Sequence, residues 1–324
     1  VLTLGTAACS SDIADSSDAK DAKVPDRPWE FTDGSGEVVK LDKAPTRIIA
    51  HGAEAAALMA YGIKPVGIYA DEPVTTDPNL KDLDLTGIEI LGEEWGSIDV
   101  AKASTLTPDL IVADWWPAEK AHSGFEDGVK AKSKKLAELA PVVGASQGDS
   151  ILDLAEGYED LAESLGADVE NSQGSKDKAA FEKSRDAFIA AMEDKDFTAL
   201  AVSPASDLLY VANPEYAPEL LDFDRWGLDI VEPDSPDKGF PYWENLSWEK
   251  ADKYQPDVLM FDSRSIITDK KTVQDQPTWN SIRAAKAGQI VEWPGFWLHT
   301  YGHYAVALDK LTEELSGLDD LIGD

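Results

Sequence analysis

Short apolar runs alternate with short helical stretches on both sides of one long polar helix, and this pattern limits the chain to one kind of architecture. After Pro45, Arg47–Ala50 reads as a strand and Ala53–Tyr61 as a helix of small residues closed by Gly62. Pro65–Tyr69 and Ile88–Leu91 read as further strands, Val100–Leu106 as a helix, and Pro108–Ala113 as a fourth strand. A helix from near Val129 to Leu139 leads into Pro141-Val142-Val143. Strands joined through helices in this way make βα units and a parallel sheet. The middle of the chain breaks the pattern. Ile151–Leu165 is amphipathic and ends at Gly166, and Lys178–Asp194 runs without Pro or Gly, with Phe181, Phe188 and Met192 on one helical face. Such a helix is expected to pack against both halves. From Phe197 the alternation returns, with strand-like Ala199–Val202, Leu208–Val211, Leu228–Val231, Pro256–Phe261 and Gln289–Glu292. Pro218–Trp226, Trp248–Tyr254, Trp279–Ala285 and Tyr304–Leu315 read as helices between and after them.

The halves also share a connection. Ser97-Ile98-Asp99 through Thr107-Pro108-Asp109-Leu110-Ile111-Val112 parallels Leu246-Ser247-Trp248-Glu249 through Gln255-Pro256-Asp257-Val258-Leu259-Met260. In both, a polar residue opens a short helix and Pro-Asp opens an apolar strand, which favours two similar lobes. Ahead of them, Phe31–Leu41 reads as a hairpin turning at Asp33-Gly34-Ser35-Gly36. At the start, Val1–Ala8 is an apolar run leading into Cys9, the single cysteine, and a Ser/Asp/Ala/Lys segment follows to Pro28. This reads as the end of a secretory signal cleaved before Cys9, then a flexible tether over 10–28. It resembles a bacterial lipoprotein box, which implies a lipidated Cys9 and a protein anchored on the outer face of the cell membrane. One cysteine excludes an internal disulfide and a multi-thiolate metal site.

Composition narrows the ligand. The net charge is −33, from 62 acidic against 29 basic residues, so nucleic acid and other strong polyanions are excluded as partners. Ten Trp stand against six Arg and four His, which suits an aromatic-lined pocket better than an anion clamp.

Four segments resemble a known family, the substrate-binding lipoproteins of iron-siderophore and vitamin B12 ABC importers. They are Ala44–Ala50 continuing to Tyr61–Gly67, the helix into Leu106–Ile111, Leu246–Glu249 through Pro256–Leu259, and Trp279–Ile290. The resemblance spans about residues 31–315. It implies an α/β fold of two Rossmann-like lobes, 29–165 and 197–324, joined by a single long helix within 166–196, with the ligand in the cleft between them. It further implies that Asp99 and Glu249, exposed on the two lobes, meet arginines of the permease. On their own, both acids read as helix N-terminal residues favoured by the helix dipole.

Ligands of α/β sheets sit beyond the carboxyl ends of parallel strands. That rule selects Trp95, Trp115 and Trp116 in the first half, and Tyr210, Tyr216, Trp243, Arg264 and Trp297 in the second. Each Trp can line the pocket or fill the core. Arg264 can hydrogen-bond the oxygens around bound iron, or pair with a local acid. One arginine beside many carboxylates favours a neutral or cationic iron(III)-hydroxamate, of ferrioxamine or ferrichrome type, over an anionic catecholate. His299 and His303 lie four apart and would share a helical face, and with His51 or His122 and an acid they would form a metal site. Gly302 between them favours ordinary packing, so no direct metal ligand and no cofactor is expected. Cobalamin, heme, a divalent metal, a sugar or a peptide remain alternative ligands. An enzyme would have to be a glycosidase using cleft carboxylates, since phosphate loops, nucleophile elbows and zinc-hydrolase motifs are absent. The reading is a monomeric binding protein, not an enzyme.

Overall fold

The computed structural model describes residues 27–263, 273–295 and 299–321. Cys9, the leader, most of the tether, Arg264 and Trp297 lie outside these residues.

The first sheet is parallel throughout. Its strand order is Glu89–Glu93, Gly67–Ala70, Ile48–His51, Leu110–Val112, Val142–Val143. Ile48–His51 and Gly67–Ala70 are buried along their whole length, as strands covered on both faces must be. The second sheet has the order Trp243–Ser247, Leu208–Ala212, Thr198–Pro204, Val258–Asp262, Ile290–Trp293, with Asp229–Ile230 also paired to Thr198–Pro204. It is mixed, which corrects the expectation of a second parallel sheet. Leu208–Ala212 runs antiparallel to both Thr198–Pro204 and Trp243–Ser247. The reason is local: only Ala205-Ser206-Asp207 separates Pro204 from Leu208, too short for the crossover that parallel strands need. Trp243–Ser247 is a strand that the sequence pattern did not reveal. Trp29–Thr32 and Val38–Leu41 form the expected hairpin.

The long helix is Gln173–Met192, beginning earlier than its apolar face suggested because Ser172 caps it through the Ser175 amide at 3.0 Å. Gly174 lies against the first half so closely that a Cβ there would stand 2.4 Å from the Tyr61 ring. Lys178 pairs with Glu159 at 2.9 Å nearby. Further along, Phe181 stacks on Tyr304 at 4.9 Å and Phe188 meets Phe223 at 5.7 Å, both in the second half. Phe181, Ser184, Phe188 and Met192 are buried, a helical stripe that fits one face and leaves the other charged. A second tie runs from Asp222, which accepts from Ser150 Oγ at 2.6 Å, the Ile151 amide at 3.0 Å and Tyr304 Oη at 3.0 Å.

The repeated Pro-Asp motif does the same work in each lobe. Asp109 accepts from the amides of Thr46 and Arg47 at 3.0 and 2.7 Å, just before strand Ile48–His51, and its own amide donates to Arg47 O. Asp257 accepts from the Thr198 amide at 2.9 Å, where Thr198–Pro204 begins, and its amide donates to Thr198 O. Each carboxylate thus satisfies donors at the entry of its sheet's central strand. Asp257 is fully buried and also holds Arg283 Nη2 at 3.1 Å, whereas Asp109 is partly exposed. Asp257→Ala leaves the Thr198 amide and a partly exposed Arg283 guanidinium without their buried carboxylate and is expected to cost about 2 kcal/mol or more of unfolding free energy. Asp109→Ala is expected to cost about 1 kcal/mol. Urea denaturation of both variants checks this, and equal losses would contradict the pairing described.

Candidate functional site

The carboxyl ends of the first sheet deliver a buried ionic cluster to the junction of the two lobes. His51 ends its strand, and the helix Gly52–Ala60 starts at the next residue, so Glu54 lies in the helix's first turn. His51 Nδ1 contacts Glu54 Oε2 at 2.7 Å, and His51 Nε2 lies 3.4 Å from Asp71. Asp114 follows strand Leu110–Val112, and its amide donates to Glu54 Oε1 at 2.8 Å. Its Oδ2 meets His299 Nε2 at 2.5 Å and Gln147 Nε2 at 2.8 Å, and its Oδ1 accepts from Tyr158 Oη. His299 comes from the far end of the chain, directly before the helix Tyr301–Ser316. Glu54, Asp114 and Tyr158 are essentially inaccessible to solvent, and His299 nearly so.

Charge balance explains how these groups stay buried. Burial opposes a proton on His299, but the Asp114 carboxylate outweighs it and lifts the imidazole to about 9. Burial likewise opposes charge on His51, and Glu54 and Asp71 together raise it well above its ordinary value. Burial and then Asp114 push Glu54 up. Asp114 is held below the usual carboxylate range because His299 overcomes its burial.

Beside this cluster the lobes meet through aromatic rings. Trp115–Trp116 pairs antiparallel with Ala121–His122, a small hairpin that places Trp116 at the sheet edge. Trp116 Nε1 donates to Ser123 Oγ at 2.8 Å, and its ring meets Tyr242 of the second lobe edge-on at 6.0 Å. Tyr242 contacts Tyr216 at 5.4 Å and the exposed Phe240 at 4.8 Å. Trp243 packs between Tyr210 and Trp293, at 6.2 and 6.1 Å. Glu119, on the loop after Trp116, sits against Tyr242; burial and then Glu119 push that phenol up.

The selected residues therefore divide. Trp116, Tyr210 and Tyr216 are partly accessible and belong to this wall. Trp243 is 7% exposed, so it presents little more than an edge. Trp115 packs on His122 at 5.1 Å, and His122 is tied to Asp33 of the hairpin turn at 2.8 Å. Trp95 is 46% exposed and sits on Gly128, with Nε1 donating to Glu126 at 2.9 Å. Asp99 and Glu249 are both exposed, and Asp99 caps its helix through the Lys102 amide at 2.9 Å. The supposed His299–His303 pair is corrected. Thr300 caps the last helix through the His303 amide at 3.1 Å, so His299 precedes the helix and His303 turns instead to Asn79 at 3.1 Å. Sequence reasoning missed Phe240 and Glu119 at this wall, although the aromatic run Phe240-Pro241-Tyr242-Trp243 signals the first of them.

The chain belongs to the periplasmic binding protein family, whose model matches residues 48–295. It is therefore a binding protein of two α/β lobes rather than an enzyme. Among solved structures it is similar to DesE, a ferric-siderophore receptor protein from Streptomyces coelicolor. Identity there is 33% and the TM-score 0.79, covering 90% of this chain and 99% of that one. The fold is shared with PiuA, an iron uptake ABC transporter substrate-binding protein from Streptococcus pneumoniae (22% identity, TM-score 0.63, 91% and 98% covered). It is also shared with the FhuD protein from S. pseudintermedius (19% identity, TM-score 0.62, 90% and 99% covered). No curated protein sequence matches at a significant level. Among the described residues, no helix is long and apolar enough to cross a membrane.

The strand carrying Trp243 is braced from its other face. Glu244 accepts from Lys253 Nζ and Tyr254 Oη, both at 2.6 Å. Burial works against the carboxylate, but these two bonds hold it below its ordinary value. Such a group stabilises the fold above its unfolded pKa of about 4.3, and that contribution is lost as pH falls through the folded value. Glu244→Gln is expected to unfold more easily than wild type near neutral pH, with the difference starting to shrink as pH falls below about 4.3 and vanishing only below the lowered folded value. Urea melts across pH test this, and a gap that persists in acid would contradict it.

Proposed function

We propose that this protein captures an iron(III)-siderophore outside the cytoplasm and hands it to the permease of an ABC importer. The observation that carries this reading is the full-length likeness, at 33% identity, to a ferric-siderophore receptor. The aromatic wall at the lobe junction supports it, because Trp116, Tyr216 and Tyr210 offer faces and edges, backed by the buried Tyr242, against which the alkyl spacers of a siderophore can lie. The ligand class we favour is a hydroxamate of ferrioxamine or ferrichrome type. Arg47, Arg185, Arg225 and Arg283 are engaged with Leu106 O, Asp186, Asp222 and Asp257, away from the wall. Acids stand around it instead, among them Glu119 and Glu126. A trianionic catecholate complex would be repelled there, while a neutral or amine-bearing hydroxamate complex would not.

In the same reading, Arg264 and Trp297 complete the ligand contacts, and Trp95 and Trp115 flank them. Cys9 carries the lipid anchor, 10–28 the tether, and Asp99 and Glu249 dock a monomeric protein on the permease. Lobes 29–165 and 197–324 are joined through 166–196. The contacts of Gln173–Met192 with both halves limit closure to a small hinge motion.

Tryptophan fluorescence tests the ligand. Ferric ferrioxamine B or ferrichrome is expected to quench saturably with submicromolar affinity, and a ferric catecholate and iron-free ligands are not. Trp116→Ala should weaken binding about tenfold, near 1.4 kcal/mol. If no siderophore quenches the folded protein, the reading fails, and cobalamin and heme are the next ligands to titrate.

A further inference from the structure

We propose that Glu54, Asp114, Gln147 and His299 form a binding site for a first-row divalent cation, buried where the two lobes meet. Each of Glu54, Asp114 and His299 is buried and offers one ligand atom, and these atoms lie within 4.8 Å of one another. The second observation is Gln147, itself 7% exposed. Its Nε2 lies 2.8 Å from Asp114 Oδ2 and 3.1 Å from His299 Nε2, while its Oε1 is buried without a partner. His299 Nε2 is also 2.5 Å from Asp114 Oδ2. Three polar atoms thus converge on one point. With a proton on His299 Nε2, that N–H and a Gln147 N–H both donate to Asp114 Oδ2, and Gln147 Oε1 is left without a partner. Turning the amide by half a rotation, which exchanges O and N in nearly the same volume, presents Oε1 to that point. An imidazole lone pair, a carboxylate oxygen and a carbonyl oxygen then face one point, and a divalent cation there replaces the proton that otherwise bridges His299 and Asp114.

The surroundings have the form of a metal site's supporting shell. His51 Nδ1 contacts Glu54 Oε2 at 2.7 Å, the Asp114 amide donates to Glu54 Oε1 at 2.8 Å, and Tyr158 Oη donates to the second oxygen of Asp114. Two carboxylates balance the charge of a divalent ion, and the proton on His299 Nε2 leaves to the buffer as the ion binds. The mix of imidazole with carboxylate and amide oxygen suits Zn²⁺ or Mn²⁺. The ligands come from the first helix of one lobe, the end of its fourth strand, the segment before Ile151–Ser164, and the segment leading into the last helix. A bound ion would therefore join the lobes independently of what the cleft carries.

The test uses the full chain, stripped with chelator and free of siderophore, titrated calorimetrically with ZnCl₂ and with MnCl₂. One ion per chain is expected, with Glu54→Gln and His299→Gln each weakening it by about 100-fold. His303→Gln, whose imidazole faces Asn79, should bind as wild type. Weak, unsaturable uptake by surface carboxylates, or tight binding unchanged in both variants, overturns the site. Should those variants fail to fold, Co²⁺ absorption of the wild-type protein decides: ligand-field bands of a nitrogen-and-oxygen site support it, and a spectrum of hexaaqua Co²⁺ at saturation overturns it. The outcome leaves the siderophore reading untouched, since no siderophore is present.

Discussion

Burying two carboxylates at the junction of two lobes is costly unless cationic partners arrive from elsewhere in the fold. Asp114 and Glu54 come from one lobe, His51 stands beside them, and His299 is brought in by the last helix, so the cluster is complete only when the chain's two ends are docked. The Asp114–His299 contact therefore makes lobe packing a condition for tolerating those charges. Trp115 and Trp116 follow Asp114 directly in the chain, so the same contact sets where the aromatic wall begins.

A second constraint is the long helix. Its first turn lies against Tyr61, with no room for a side chain at Gly174, and its length packs on the helices of the second lobe through Phe181 and Phe188. A rigid element of 20 residues that touches both bodies resists large rotation between them. The cross-lobe bonds of Asp222 to Ser150 and Ile151 act in the same sense. In the proposed role, a ligand in this cleft would be gripped by side chains already in place more than by lobes closing over it.

Much of this was legible beforehand where the physics is local. Apolar runs of four or five residues between helical stretches located both central strands, and Pro-Asp marked where a neighbouring strand opens in each lobe. The mixed second sheet was less legible, because strand-like segments do not announce their direction; only the three-residue turn after Pro204 does. The hairpin of Trp115–Trp116 with Ala121–His122 was missed because two-residue strands carry no periodicity. His299 and His303 were placed together on a four-residue spacing, yet Thr300 starts the helix between them, and capping decided which imidazole goes where.

What the sequence determined by itself was the α/β alternation, the repeated connection and the long helix, since hydrophobic spacing and Pro/Gly punctuation act over a few residues. It also set the acidity and the supply of tryptophan. Only the tertiary structure decided which of those tryptophans meet across the lobes, which are sealed in the core, and that His51, Glu54, Asp114, Gln147 and His299 share one buried site. Those residues span separations of up to 185 positions between direct partners, and no local pattern encodes a contact made only when distant strand ends and a terminal helix close on the same junction.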